Sequence, residues 1–410
     1  MVTAGIICEY NPFHRGHLAQ FQRVREALGE DAAIVCAMSG NYVQRGEPAV
    51  FDKLLRARAA VDCGANLVLE LPLGACLSSA EGFAMGGVEL LDRLGAVDVL
   101  SFGCECRDGA ALHQAAACLQ SEAFPAALRQ NLDRGLPFPA ARQQAVQELC
   151  GLGEVLTRPN NILAVEYCKA LNKLGSGIRP LALHRPGSCN DPEAADPENP
   201  SAAAVRRLLL EDGPGWTDLL PPEAAGIFAG APRYAMTWGE RAVLARLRTL
   251  SARDWEATPH GGEGLHNRMV RAVREAADLK SLLELAATKR YPTARLRRML
   301  LCAYLGVTGE DLSRPVTFGR VLAFDDTGRA LLHRAGKQLP LIHVGQPAPD
   351  PEAWALEQRA EDLFSLFCEN LSAAPPGAAS RARVYYRREP NIEAQPRSRG
   401  SLDEIGDQRT

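Results

Sequence analysis

The sequence predicts an α/β protein: a doubly wound parallel sheet followed by a mainly helical C-terminal domain. Three observations carry this. Short apolar, β-branched runs alternate with helix-like stretches over the first 190 residues. The runs are apolar at nearly every position, as strands covered on both faces are. Between about 221 and 310 the strand signal almost vanishes and apolar residues recur at helical spacing. A chain of 410 residues also suits two domains better than one.

In order, the strand candidates are "AGIICEY", "AAIVCAM", "NLVLELP", "VDVLSFG" and "RPLALH". Helices are predicted between them over 16–29, 51–63, 80–94, 109–121, 139–150 and 160–174. "CNDPEAADPENPS" is a polar, proline-containing loop, and a helix begins near Ser201. Residues 318–345 read as a small hairpin around "DDTG", and 351–370 as a further helix. From "SAAPPGAASRARVYY" onward the chain is rich in Pro, Ala, Arg and Asp, so its last 20 to 30 residues are expected to be poorly ordered. This gives three segments: a catalytic domain over 1–215, a helical domain over 216–373 and a disordered tail over 374–410. No repeat of solenoid period is present.

Composition excludes several classes. Hydrophobic content of 46% with 23% charged residues is that of a soluble globular chain. No apolar run approaches the ~18 residues of a membrane span. The N-terminus lacks a basic region and a cleavage site, so no signal peptide is read and a cytoplasmic location without membrane association is expected. Twelve cysteines are spread thinly, several inside apolar runs (Cys8, Cys36, Cys63, Cys168), which favours free buried thiols over a disulfide framework. Cys104 and Cys106 stand alone as a C-x-C pair and are weak evidence for metal; no metal-binding residues are assigned. A net charge of −3 argues against a general polyanion binder but leaves room for a local basic surface.

"IICEYNPFHRGHLAQF" carries the most chemistry. It reads as a strand (Gly5–Glu9), a turn (Asn11, Pro12, Phe13) and a helix from about His14. In an open parallel sheet ligands bind beyond the carboxyl ends of the strands. A helix N-terminus there offers free N–H groups and a positive dipole end to phosphate. His14 and His17 add donors, and Gly16 lets a nucleotide lie against the backbone. The pattern fits ATP, with charge stabilised at the α-phosphate during attack. The plain alternative is two surface histidines at a helix start. A second element, "SAAAVRRLL" (Ser201 to Leu210), resembles the Ser-x-Thr/Ser-x-Ile-Arg motif that H-x-G-H nucleotidyltransferases carry at another helix N-terminus. Ser201 and Arg206 would then hold the β- and γ-phosphates, Ala203 replacing the usual hydroxyl; Ser201 also reads as an ordinary N-cap.

Four stretches extend this likeness. "GIICEYNPFHRGH", "MSGNYVQRGEPAVFDKLLRARAAVDCGANLVLELP", "RPNNILAVEY" and "TKRYPTARLRRML" resemble the bacterial tRNA(Met) cytidine acetate ligase family over residues 1 to about 370. The resemblance implies a Rossmann-like sheet of the HxGH nucleotidyltransferase type. It implies activation of acetate by ATP to acetyladenylate, without acetyl-CoA. It further implies acetyl transfer to N4 of the wobble cytidine of elongator tRNA(Met), giving N4-acetylcytidine. Carried over by position, the ATP-binding stretch falls on Ile7, Cys8, Glu9, Tyr10, Asn11, Pro12, Phe13, His14, Arg15, Gly16, His17, Leu18, Ala19 and Gln20. Gly103, Asn161 with its neighbour Asn160, and Arg185 complete it. Mg²⁺ is expected with ATP, although no carboxylate cluster marks a dedicated cage.

Ser39, Asn41 and Gln44 in "SGNYVQRGEP" are candidates for the acid pocket, and "FDKLLRARAA" reads as a cationic helix face bearing Lys53, Arg56 and Arg58. From Arg268 to Arg298 nine Lys or Arg face three Asp or Glu, a local balance of +6. Arg268, Arg271, Lys289, Arg290, Tyr291, Arg295 and Arg298 are the candidate tRNA contacts, cations for phosphate and an aromatic for an unpaired base. This basic stretch separates a tRNA enzyme from the two competing readings: a small-molecule adenylyltransferase with the same H-x-G-H site, and a non-catalytic RNA-binding protein with a relic nucleotide site.

Overall fold

A computed structural model describes residues 1–184, 200–288, 290–335, 338–342, 348–377, 381 and 383–388. Its ten strands are β1 (Thr3–Cys8), β2 (Ala33–Ser39), β3 (Tyr42–Val43), β4 (Glu47–Pro48), β5 (Leu67–Leu71), β6 (Val99–Cys104), β7 (Arg179–His184), β8 (Gly319–Asp325), β9 (Leu341–Ile342) and β10 (Tyr385–Arg387). Eight form one sheet in the order β10-β8-β5-β2-β1-β6-β7, with β9 beside β8; β3 and β4 make a separate hairpin. The neighbours from β5 to β7 are all parallel. The sheet therefore runs outward from β1 in both directions, and its order reverses between β1 and β6. That crevice is where an open α/β sheet binds its ligand.

Sequence composition explains this placement. β2 and β5 are buried at every residue, so their continuous apolar runs suit only the sheet centre. β7 has exposed ends and forms an edge. One face of the sheet packs on helices Ala80–Leu94, Gly109–Leu119 and Pro159–Leu174 through residues such as Phe83, Leu91, Leu112 and Val165. The other packs on α1 (Arg15–Leu28), α2 (Lys53–Asp62) and helix Ala202–Leu210 through Phe21, Ala57, Val61 and Val205. A third core, with Trp255, Met269, Leu296 and Phe367, fills the helical region and reaches Tyr42, Leu73 and Leu77 of the α/β part. His260 crosses this boundary: its Nε2 lies 2.8 Å from the Leu77 carbonyl, and burial pushes its pKa down to about 4, so the ring is neutral.

The structure corrects three expectations. Residues 318–345 are not a hairpin: β8 joins the main sheet antiparallel to β5, and Asp326–Arg334 is a helix. Asp325 is its N-cap, with Oδ1 accepting from the Gly328 N–H at 2.8 Å. Asp-Gly chemistry serves a cap as well as a turn. The segment over 216–373 thus gives a strand back to the first domain. The tail beyond 374 contributes β10, parallel to β8, where the Tyr386 ring stacks on Phe324 at 5.0 Å. A helix at Phe124–Asp133 was not legible as one. All eleven cysteines among the described residues are free, and no described helix is long and apolar enough to cross a membrane.

A buried charge cluster locks the helix Pro351–Phe364 to the sheet. Lys53 Nζ donates to Glu70 at 2.6 Å and to Glu361, and Arg320 pairs with the same two carboxylates. Lys53 is 1% exposed. Lys53→Met should therefore destabilise the fold by about 3–5 kcal/mol in chemical denaturation, because two buried carboxylates then share Arg320 as their one remaining cation. Burial, then Glu70, raise the pKa of the neighbouring Glu357 to about 8. The folded state thus holds a proton that the unfolded chain releases near pH 4 to 5. This contribution is full at lower pH and is lost as pH rises towards 8, so the wild type should lose stability over that window relative to Glu357→Gln.

Candidate active site

β1 ends in a turn that sequence makes unusually tight. Tyr10 adopts φ +44°, and the Asn11–Pro12 peptide is cis. Tyr10 and Phe13 are buried, their rings edge-on at 4.9 Å. The Asn11 side chain accepts the Val50 N–H at 2.8 Å, and its carbonyl accepts from Arg206 Nη1 at 2.7 Å. The turn delivers the chain to α1 with His14 as N-cap.

The two histidines cap each other. Gly16 N–H donates to His14 Nδ1 at 3.1 Å, and His14 N–H to His17 Nδ1 at 3.2 Å. Their rings stack at 3.7 Å. A ring nitrogen that accepts carries no proton, so this network assigns the proton of each neutral ring to Nε2. H-x-G-H spacing is therefore a capping box built from imidazoles. His17 lines the adjacent cavity with Nε2–H as its donor, whereas His14, 2% exposed, lies behind it.

That cavity holds about 370 Å³ at the β1–β6 crevice. Of the residues singled out in the sequence, Ile7, Cys8, Glu9, Tyr10, Asn11, Gly16, His17, Ala19, Gln20, Gly103, Asn160, Arg206 and Gln44 line it. So do Arg45 and, not singled out as site residues, Arg23, Phe83, Phe102, Ile162, Leu163, Tyr167 and Ala202. Arg45 had a signal, as a cation in the polar loop after β2; the apolar wall had none beyond its place on helices. Three arginines and one carboxylate, Glu9, form the charged lining. Burial raises the Glu9 pKa, opposed by the Gln44 N–H at 2.7 Å and by Arg206, Arg45 and Arg56. Burial likewise lowers that of Arg206. A cavity lined by apolar side chains, three arginines and a histidine can hold a base and a phosphate chain.

Comparison with known proteins agrees with this geometry. A family profile described as HIGH Nucleotidyl Transferase matches residues 1–375. The tRNA(Met) cytidine acetate ligase of Acetivibrio thermocellus is 33% identical over 365 residues, spanning 83% of this chain and 88% of that protein. The chain belongs to the tRNA(Met) cytidine acetate ligase family. Two crystal structures of Thermotoga maritima TmcAL, 28% identical, cover 95% of this chain and 100% of their own. The apo form matches with a TM-score of 0.88 and the form bound with alpha-thio ATP with 0.86.

Not every residue implied by the family resemblance reaches the cavity. Pro12, Phe13, His14, Arg15 and Leu18 build the turn and α1 around it without being part of its lining. Asn161 is buried; its Oδ1 accepts the N–H groups of Glu105 and Cys106 at 2.9 and 3.0 Å. The Glu105 carboxylate in return takes the Asn160 and Asn161 N–H groups. This exchange fixes the loop after Gly103 to the start of the helix Pro159–Leu174. Ser201 is an N-cap, accepting the Ala204 N–H at 3.0 Å. Ser39 is buried against Cys76, and Asn41 accepts the Lys53 N–H at 2.8 Å; neither lines the cavity. Arg185 and Lys289 lie outside the described residues.

The basic stretch is also partly structural. Arg268 donates to the Leu285 and Ala286 carbonyls and closes a helix end. Tyr291 is buried, its hydroxyl donating to the Glu263 carbonyl at 2.6 Å, so it is core and not a stacking platform. Arg295 is held by His260, Gly262 and Glu263. Arg298 donates to the Gln44 carbonyl at 3.2 Å, joining helix Thr293–Leu305 to the cavity loop. Arg271, Arg274 and Arg290 are exposed.

Asn161→Ala should raise the KM for ATP more than it lowers kcat, because two loop N–H groups lose their acceptor and the Gly103 edge shifts. Steady-state kinetics beside Asn161→Asp, which restores an acceptor, checks this.

Proposed function

We propose that this chain uses ATP to activate acetate as acetyladenylate and then acetylates N4 of the wobble cytidine of elongator tRNA(Met). The observation that carries this is the agreement over most of the chain with named tRNA(Met) cytidine acetate ligases and with a structure bound to an ATP analogue, together with a cavity lined by His17 and three arginines. ATP lies at the switch point, its adenine against Phe102, Gly103 and Tyr167 and its phosphates toward His17 and Arg206. Acetate attacks the α-phosphate in line and pyrophosphate leaves. His17 Nε2–H and the α1 N-terminus stabilise charge at the pentavalent centre. His14 positions His17. No protein nucleophile is needed; catalysis is orientation and charge.

Mg²⁺ would accompany the triphosphate and supply charge neutralisation there; among the described residues no group of three or more His, Cys, Asp or Glu would hold it. Acetate itself, not acetyl-CoA, is the acyl source, and Gln44 and Arg45 flank its place beside Glu9. Transfer RNA approaches over the helical region, where Arg271, Arg274 and Arg290 offer exposed cations. An unpaired wobble base is extruded at small cost. The protein acts in the cytoplasm with its tRNA substrate.

Acetate-dependent ATP–pyrophosphate exchange tests the first step. Wild-type protein should show it, and His17→Ala should reduce it by about 10²–10³. Absence of exchange with acetate, with or without tRNA, would refute the reading in favour of another acceptor. For the second partner, Arg271→Ala with Arg274→Ala should weaken tRNA binding and lower the salt dependence of log Kd by about one per lost phosphate contact.

A further inference from the structure

We propose that Glu9 is the proton acceptor in acetyl transfer, the step in which cytidine N4 attacks the acetyl carbonyl of the adenylate. The proposal rests on the acetate-ligase reading above. A site for a polyanion is built from cations and N–H groups, and a carboxylate there opposes binding. Yet Glu9 is the one carboxylate lining this cavity among the described residues, at the end of β1 beside the histidine turn. Its geometry is that of a held base. Oε1 accepts the Gln44 N–H at 2.7 Å, which orients the group. Oε2 takes no hydrogen bond from the described residues and is not sealed from solvent. Burial strengthens it as a base, while Arg206, Arg45 and Arg56 keep the charged form accessible.

Among the described residues, the other groups at the cavity cannot take a proton. His17 Nδ1 is committed to the His14 N–H. The Cys8 thiol and the Tyr10 and Tyr167 hydroxyls are pushed up by burial, so they are protonated at neutral pH. In the step itself the N4 lone pair forms the C–N bond and the carbonyl pair moves to oxygen. That pair returns as the acyl C–O bond to phosphorus breaks and AMP leaves. The N4 proton passes to Glu9 Oε2 and thence to water.

Glu9→Gln separates this role from a structural one, because glutamine keeps an oxygen for the Gln44 N–H but cannot accept a proton. Acetate-dependent exchange and single-turnover transfer of labelled acetate to tRNA(Met) transcript are measured on the same full-length preparations. The ratio of transfer to exchange should fall about 100-fold or more. Glu9→Asp, a base one methylene shorter, should recover part of it. A ratio within about threefold of wild type, whether both rates persist or both fall, overturns the proposal. So does a Glu9→Asp ratio no better than that of Glu9→Gln. Wild-type protein lacking acetate-dependent exchange would instead remove the acetate reading, and this proposal with it.

Discussion

The Arg56 guanidinium organises the catalytic end of the sheet. It is wholly buried, and it donates to four carbonyls: Glu9 at the end of β1, Ser39 and Gly40 at the end of β2, and Phe51 before α2. Backbone carbonyls at strand ends lose their ladder partners and, once buried, need donors. One planar side chain with five N–H groups satisfies several at once, which a lysine could not do. Burial works against its charge, partly offset by Asp52 and Glu9. Through Glu9 it sets where the Tyr10 turn begins, and through Gly40 where the cavity loop departs. The histidine cap, the Arg206 contact and the Gln44 N–H all inherit their positions from those two points.

The loop that Arg56 anchors also receives the helical region. Gly46, at φ +78°, lies so close to helix Thr293–Leu305 that a Cβ there would sit 2.5 Å from the Arg298 nitrogen. Arg297 pairs with Glu47, and Arg298 reaches the Gln44 carbonyl. Tyr42 donates to the Ala360 carbonyl at 3.1 Å, and Lys53 ties Glu361 to the sheet. A displacement of the helical region is thus felt first at Gln44 and Glu9, both at the cavity. The helical region and the cavity thus share this hairpin.

Much of the architecture was legible because its signals are local. Alternating apolar runs and helical spacing mark β1, β2, β5, β6, β7 and most helices, and the H-x-G-H stretch marks its own turn; the β3–β4 hairpin lies in a stretch that reads as a polar loop. Burial of cations was not legible. "FDKLLRARAA" reads as a solvated basic face, yet Lys53 and Arg56 are buried and only Arg58 points outward. Their partners lie at distant positions such as Glu361 and Gly40, and periodicity carries no information about them. The same limit applies to the basic stretch, where Arg268, Arg295 and Arg298 are consumed by carbonyls of the fold. The brace that Asn161 gives the loop after Gly103 was not legible either, because its partners Glu105 and Cys106 are distant in sequence. The hairpin expected at "DDTG" failed because turns and helix starts share residues.

β8 gives the helical region two attachments to the sheet, not one. The chain leaves the parallel strands after β7, at one edge, and comes back beside β5, on the opposite side of β1. A module on a single linker searches a volume set by linker length. A module fastened at both ends to a rigid frame loses that freedom and keeps only small rocking displacements. Whatever that region holds therefore keeps a nearly fixed height and heading relative to the β1–β6 crevice.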